Sequence, residues 1–171
     1  FGTWTTYHAR LSIIAPVSEF DQPFVSDTGS VLIFNGEILN YKELLTKYEL
    51  RTTSSDTEAL AILLDDGRMG LDEMEGFFAF ARLNPQGRLT HCARDRFGVK
   101  PLFVYQQGDV ISVSSEASVL SDLYDLAFSD QALEEYPVFR APIFSSSYFE
   151  KVKAVEPGSC LKTGTFFDAT S

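Results

Sequence analysis

Cysteine is scarce in this chain of 171 residues: there are two, Cys92 and Cys160, too few for a disulfide framework. Cys92 falls in a strand-like run and Cys160 near a turn-like one, and both read as buried thiols. Positive charge is also short, with 14 Lys and Arg against 24 Asp and Glu and a net charge of −10. The basic residues are scattered, which argues against nucleic acid as a partner, because phosphate neutralisation needs them clustered. No apolar run approaches the roughly 20 residues that span a bilayer, and no basic stretch precedes an apolar leader-like one. No membrane partner is expected, and the cytoplasm is the simplest location. Internal repeats, low-complexity tracts and long linkers are absent as well.

What the chain does have is apolar and aromatic content: 44% hydrophobic, with 15 Phe and 7 Tyr. That marks a globular protein, and the length suits one domain with a sizeable core. Apolar, β-rich runs occur at 11–15, 31–34, 77–83, 89–93, 102–105 and 110–113, and Asn84-Pro85-Gln86-Gly87 is a hairpin signal between two of them. Apolar residues at three- and four-residue spacing predict helices over 41–48, 57–64, 71–75, 117–123 and 131–136. Hairpins favour antiparallel pairing, so sheets covered by helices, an α+β design, are expected. Ser145-Ser146-Ser147 reads as an exposed loop.

Several short stretches carry chemistry. In VLIFNGE, 31–37, an apolar strand delivers Asn35, Gly36 and Glu37 in succession. A side-chain amide beside a backbone N–H at a strand end is a donor pair suited to an oxyanion. Arg10 precedes an apolar strand and can present its planar fork to a carboxylate, although a lone Arg there is commonly a structural ion pair. His8 reads as a packed or surface imidazole. Ser55 and Glu58 have capping-box spacing, and Asp56 in the first helical turn would complement the helix dipole. Alternatively, Asp56 and Glu37 supply negative charge for an ammonium while Arg10 takes a carboxylate, which together would recognise a free α-amino acid. The stretch 93–102, ARDRFGVKPL, reads as a salt-bridged corner between strands, and Ser114-Ser115-Glu116 as a strand end that caps the next helix.

The order of these stretches is more specific than any one of them. RLSII, FNGEILNYKEL, SSDTE, GFFAFA, ARDRFGVKPL and Ser-Ser-Glu, followed by Pro157-Gly158-Ser159-Cys160-Leu161, together resemble the class II glutamine amidotransferases. The GEIxNYxEL form narrows the resemblance to the glutaminase domain of the asparagine synthetase B type, over essentially the whole chain. The resemblance implies an N-terminal-nucleophile hydrolase fold, a four-layer αββα sandwich of two mostly antiparallel sheets. It also implies hydrolysis of the glutamine side-chain amide to glutamate and ammonia. By the same resemblance, Arg10, with backbone help from Ile13 and Ile14, would bind the glutamine carboxylate. Asn35 and Gly36 would form the oxyanion hole, and Glu37 and Asp56 would hold the ammonium. No metal or cofactor is implied for this domain; ATP and magnesium would serve only a C-terminal synthetase domain that activates the ammonia acceptor. That domain would be the chief partner besides glutamine, with a homodimer as a further possibility.

One departure from the family pattern matters. The family opens on a Cys that attacks the amide with its own α-amino group as base, and carries an Arg-Gly-Pro-Asp loop before the Arg-Leu-Ser strand. This chain opens at Phe1, so the nucleophile and its strand are expected upstream in a parent protein. Residues 1–171 as they stand are expected to be inactive, since Cys92 in mid-strand lacks a free amino group. Two other readings use the same pocket: a silent glutamine-binding or interaction module, and an amidotransferase acting on a sugar acid for cell-surface polysaccharide.

Overall fold

The computed structural model describes Thr5, residues 22–143 and residues 147–162. The run at 11–15 expected as a strand lies outside the described residues, as do Ser145 and Ser146. The elements are β1 (Phe24–Val25), β2 (Val31–Ile38), α1 (Tyr41–Lys47), α2 (Asp56–Asp66), a 3-10 turn (Leu71–Glu73), β3 (Gly76–Leu83) and β4 (Leu89–Arg94). They continue with β5 (Phe103–Gln107), β6 (Val110–Ser114), α3 (Ala117–Tyr124), α4 (Asp130–Phe139), β7 (Val152–Ala154) and β8 (Cys160–Lys162).

A five-stranded sheet runs β1-β2-β3-β4-β8 and a three-stranded sheet β6-β5-β7, with every pairing among them antiparallel. Alternation along the strands assigns the layers. From the larger sheet Leu32, Phe34, Ile38, Phe78, Phe80 and Ala93 pack with Leu44 and Leu45 of α1 and Leu60 and Leu63 of α2. Its opposite face sends Ala79 and Cys92 against Leu102, Val104 and Val155 around the smaller sheet. The far face of that sheet puts Tyr105 and Val152 against Leu120 of α3. Helix, sheet, sheet, helix is therefore the order of the layers, the αββα sandwich expected.

The hairpin at Asn84 forms as the sequence suggests. The Asn84 side-chain oxygen accepts the N–H groups of Gln86 at 3.1 Å and Arg88 at 2.9 Å, and Gly87 takes the left-handed conformation the turn needs, at φ 76°. Three details differ from the sequence reading. The helix expected over 71–75 is a single 3-10 turn, because Gly76 already begins β3. Ser147 is buried at 3% exposure, its hydroxyl donating to Phe149 and Val152 carbonyls, so it is not part of an exposed loop. Glu116, not a serine, occupies the N-cap of α3 and makes no side-chain capping bond; the Ser114 hydroxyl accepts the Glu116 N–H instead, at 3.1 Å. Cys160 begins β8 just after the turn at Pro157 and Gly158, near a turn as expected.

Candidate functional site

β2 carries the site, and its backbone alternation decides what it can offer. The Leu39 N–H donates to the Glu75 carbonyl at 2.8 Å, on the side of β3. Phe34 faces the other way: Gln22 brackets it, accepting its N–H at 2.5 Å and donating to its carbonyl at 2.7 Å. Ile38 also faces that way, its N–H donating to the Asp56 carboxylate at 3.2 Å. In an antiparallel ladder residues two apart point their peptide groups to the same side. The Gly36 N–H therefore faces the side of β2 that no described strand covers at that point, between those two occupied positions and beyond β1, which pairs only with Val31 and Leu32. Glycine is required there. At φ 137° a Cβ would overlap the Phe77 carbonyl oxygen and come within 2.7 Å of the Phe78 Cα.

Asn35 and Glu37 are half-buried and, by the same alternation, project from the sheet face opposite Leu32, Phe34 and Ile38. Among the described residues the Asn35 amide has no hydrogen-bond partner and Glu37 no ion-pair partner.

Asp56 is the first residue of α2, whose N-cap Ser55 accepts the Glu58 N–H at 3.3 Å. The other half of the expected capping box is missing, because the Ser55 N–H goes to the Thr53 hydroxyl while Glu58 binds Thr53 and Arg51. Asp56 is 7% exposed and joins the helix to the end of β2, accepting from Ile38 through one oxygen and from Thr57 at 2.9 Å through the other. Burial pushes its carboxyl above the ordinary value; those backbone N–H groups oppose the shift, and the nearby Glu37 charge adds to it. Two carboxylates so placed favour an incoming cation, which would relieve both their repulsion and the desolvation of Asp56.

The structure thus brings Asn35, Gly36, Glu37 and Asp56 to one end of β2. Arg10, Ile13, Ile14 and His8 lie outside the described residues. The sequence reading missed Gln22, whose side chain takes the place of a strand for the Phe34 backbone; no local pattern around it signals that role. It also passed over Gly76, opposite Ile38, where a Cβ would overlap the Glu37 carbonyl oxygen. The corner around Asp95 is structural as expected, but not through ion pairs: Arg94 and Asp95 bind backbone carbonyls and N–H groups. Neither cysteine suits nucleophilic attack. Burial pushes the Cys92 thiol up to about 12, and Cys160 is half-buried in β8.

Comparison with known proteins gives a consistent picture. Residues 2–167 match a family model described as the glutamine amidotransferase domain. Glutamine-hydrolyzing asparagine synthetase 1 of Bacillus subtilis is 36% identical over 157 residues, covering 88% of this chain and 25% of the relative. A putative glutamine-hydrolyzing asparagine synthetase of Mycobacterium tuberculosis is 37% identical over 141 residues, covering 75% of this chain and 21% of the relative. Among solved structures, the glutamine phosphoribosylpyrophosphate amidotransferase of B. subtilis, complexed with ADP and GMP, is similar with a TM-score of 0.52 and 28% identity. The match covers 69% of this chain and 28% of that one. The chain spans about a quarter of the length of the curated relatives it matches.

Proposed function

Since the chain belongs to the glutamine amidotransferase domain family, we propose that it is the glutaminase part of an asparagine synthetase-type enzyme, binding L-glutamine and releasing its amide nitrogen as ammonia. The α+β sandwich is that of the N-terminal-nucleophile amidotransferases, as the similar structure supports. The observation that carries the reading is an amide and a backbone N–H without partners among the described residues, at Asn35 and Gly36, beside the carboxylates of Glu37 and Asp56.

In this reading the glutamine ammonium sits between Glu37 and Asp56, and Arg10 takes the carboxylate with backbone groups of Ile13 and Ile14. The side-chain amide then lies against Asn35 and Gly36. When a thiolate adds to the amide carbon, the carbonyl oxygen becomes an oxyanion that the Asn35 amide and the Gly36 N–H stabilise. Collapse of the adduct expels ammonia, and water cleaves the thioester to glutamate. The attacking group in the family is an N-terminal cysteine thiol; neither Cys92 nor Cys160 substitutes for it. Ammonia would pass to an asparagine-forming synthetase part, to which any ATP and magnesium requirement belongs. A reducing cytoplasm suits two free thiols.

Glutamate release from L-glutamine by the whole gene product tests this. Asn35→Ala is expected to lower kcat about 10²- to 10³-fold with little change in KM, the loss of one oxyanion donor. Glu37→Gln is expected to raise KM mainly. No glutamine hydrolysis by the unmodified gene product would sink the proposal.

A further inference from the structure

The start of α2 is built differently from the capping box its sequence suggests, and the difference bears on Asp56. The Ser55 hydroxyl accepts the Glu58 N–H at 3.3 Å, which is the expected half. The Glu58 carboxylate, however, leaves the Ser55 N–H alone: one oxygen takes the Thr53 hydroxyl and the other the Arg51 guanidinium, at 2.7 Å. The Ser55 N–H goes instead to the Thr53 hydroxyl oxygen, at 3.2 Å. A closed ring results, from the Glu58 N–H to the Ser55 hydroxyl, from the Ser55 N–H to the Thr53 hydroxyl, and from that hydroxyl back to Glu58.

Capping the helix does not call for this ring. An ordinary capping box satisfies the same two N–H groups with Ser55 and Glu58 alone. What Thr53 adds is a hold on the chain ahead of the helix, and two further contacts hold the same stretch from α1. Tyr41, the first residue of α1 and 9% exposed, donates its hydroxyl to the Ser54 carbonyl at 3.3 Å. The Leu50 N–H donates to the Leu45 carbonyl at 2.9 Å. Residues 50–55 are thus fastened to α1 at one side and to α2 at the other. Asp56 follows directly, and its own bond to the Ile38 N–H ties it to the strand that carries Glu37.

Side chains that hold a binding group through its neighbours matter when the group must sit at a fixed distance from a second one. An ammonium shared between Glu37 and Asp56 sets that requirement, since its contact with either carboxylate weakens as the two move apart. We propose that Thr53, held by Glu58, and Tyr41, holding Ser54, are positioning residues that fix Asp56 for the α-ammonium of the substrate. The proposal rests on the function given above, in which Asp56 meets that ammonium. Because the ammonium is remote from the amide that reacts, its contacts are made equally before and during the chemical step. Their loss therefore raises KM and spares kcat.

Glutamate release by the whole gene product provides the test. Thr53→Val keeps the shape and removes the hydroxyl, and is expected to raise the KM for glutamine about tenfold with kcat within about twofold of the parent. Thr53→Ser returns the hydroxyl and is expected to restore the parental KM. Tyr41→Phe loses one bond to Ser54 and is expected to raise KM about threefold; it carries the test alone if Thr53→Val does not fold. The deciding arm repeats these changes in an Asp56→Asn background, where neither is expected to raise KM further, because both act through the carboxylate already removed. Increases that persist in that background overturn the positioning role, as do an unchanged KM in both single variants or a fall in kcat at constant KM. If Asp56→Asn alone leaves KM unchanged, the assignment of Asp56 to the ammonium fails and the proposal falls with it. If Asp56→Asn raises KM and the other changes add to it, the positioning alone fails.

Discussion

Asp56 shows how one residue can serve binding at the expense of stability. A carboxyl raised in the folded state penalises folding once it ionises. Below its ordinary value of 3.8 both folded and unfolded forms carry the proton and there is no penalty. The cost sets in as pH rises from that value through the raised folded one, and it stays in full above. Asp56→Asn removes the charge and keeps an acceptor for the Ile38 N–H. The variant is expected to melt a few degrees higher than the parent at pH 7, where it also binds glutamine more weakly, and to lose both differences near pH 3. Thermal melts at the two pH values, with and without glutamine, decide it; a lower melting temperature at pH 7 would show that the ionised carboxylate supports the fold. The capping motif around Asp56 was legible in sequence, and so was the alternative of an ammonium partner. What sequence could not show is that both draw on the same side chain, since that depends on the Ile38 N–H, which is 18 residues away along the chain.

Between elements, the bond that ties α2 to the larger sheet is ionic at the end away from the site. Arg82 of β3 pairs with Asp65 of α2, each with 14% of its side chain exposed, and the Arg82 guanidinium also reaches the Ser30 hydroxyl at 3.1 Å while Thr28 donates to Asp65 at 3.0 Å. Removing one partner leaves the other charge poorly solvated, so Asp65→Ala is expected to cost about 3 kcal/mol in urea unfolding. The double variant Asp65→Leu, Arg82→Met should recover most of that loss; equal losses in the single and double variants would show that the pair contributes net stability rather than mutual compensation. Sequence periodicity found the long elements, β2 to β6 and the four helices, because each has an apolar face of several residues. It did not find β1, β7 and β8, which have two or three residues each and are strands only because a neighbour pairs with them. Arg82 and Asp65 likewise look like ordinary surface charges until the register sets β3 beside α2.

At the scale of the whole molecule, the stack of layers sets which groups solvent can reach. The near-continuous apolar run of β3 suits a sheet covered on both faces, and the four-layer sandwich was legible through the family resemblance. Which sheet face each cysteine occupies was not, because a one-residue change of register exchanges the two. The register pairs Ala93 with Cys160 and Cys92 with Leu161, and Cys92 ends between the sheets among Ala79, Leu102, Val104 and Val155, while Cys160 packs toward the helical layer. Burial raises the Cys92 thiol to about 12, so at pH 8 about 10⁻⁴ of it is thiolate even before access is considered. Reaching it requires the sheets to part, which is nearly equivalent to unfolding the domain. Labelling with a thiol reagent at pH 8 is therefore expected to modify Cys92 at a rate that follows global unfolding, accelerating with urea in proportion to the unfolded fraction and slowing when glutamine is bound. Mass spectrometry of the labelled peptides distinguishes it from Cys160. Rapid native-state labelling of Cys92, independent of urea, would mean that the sheets separate locally and that the sandwich is not a single cooperative unit.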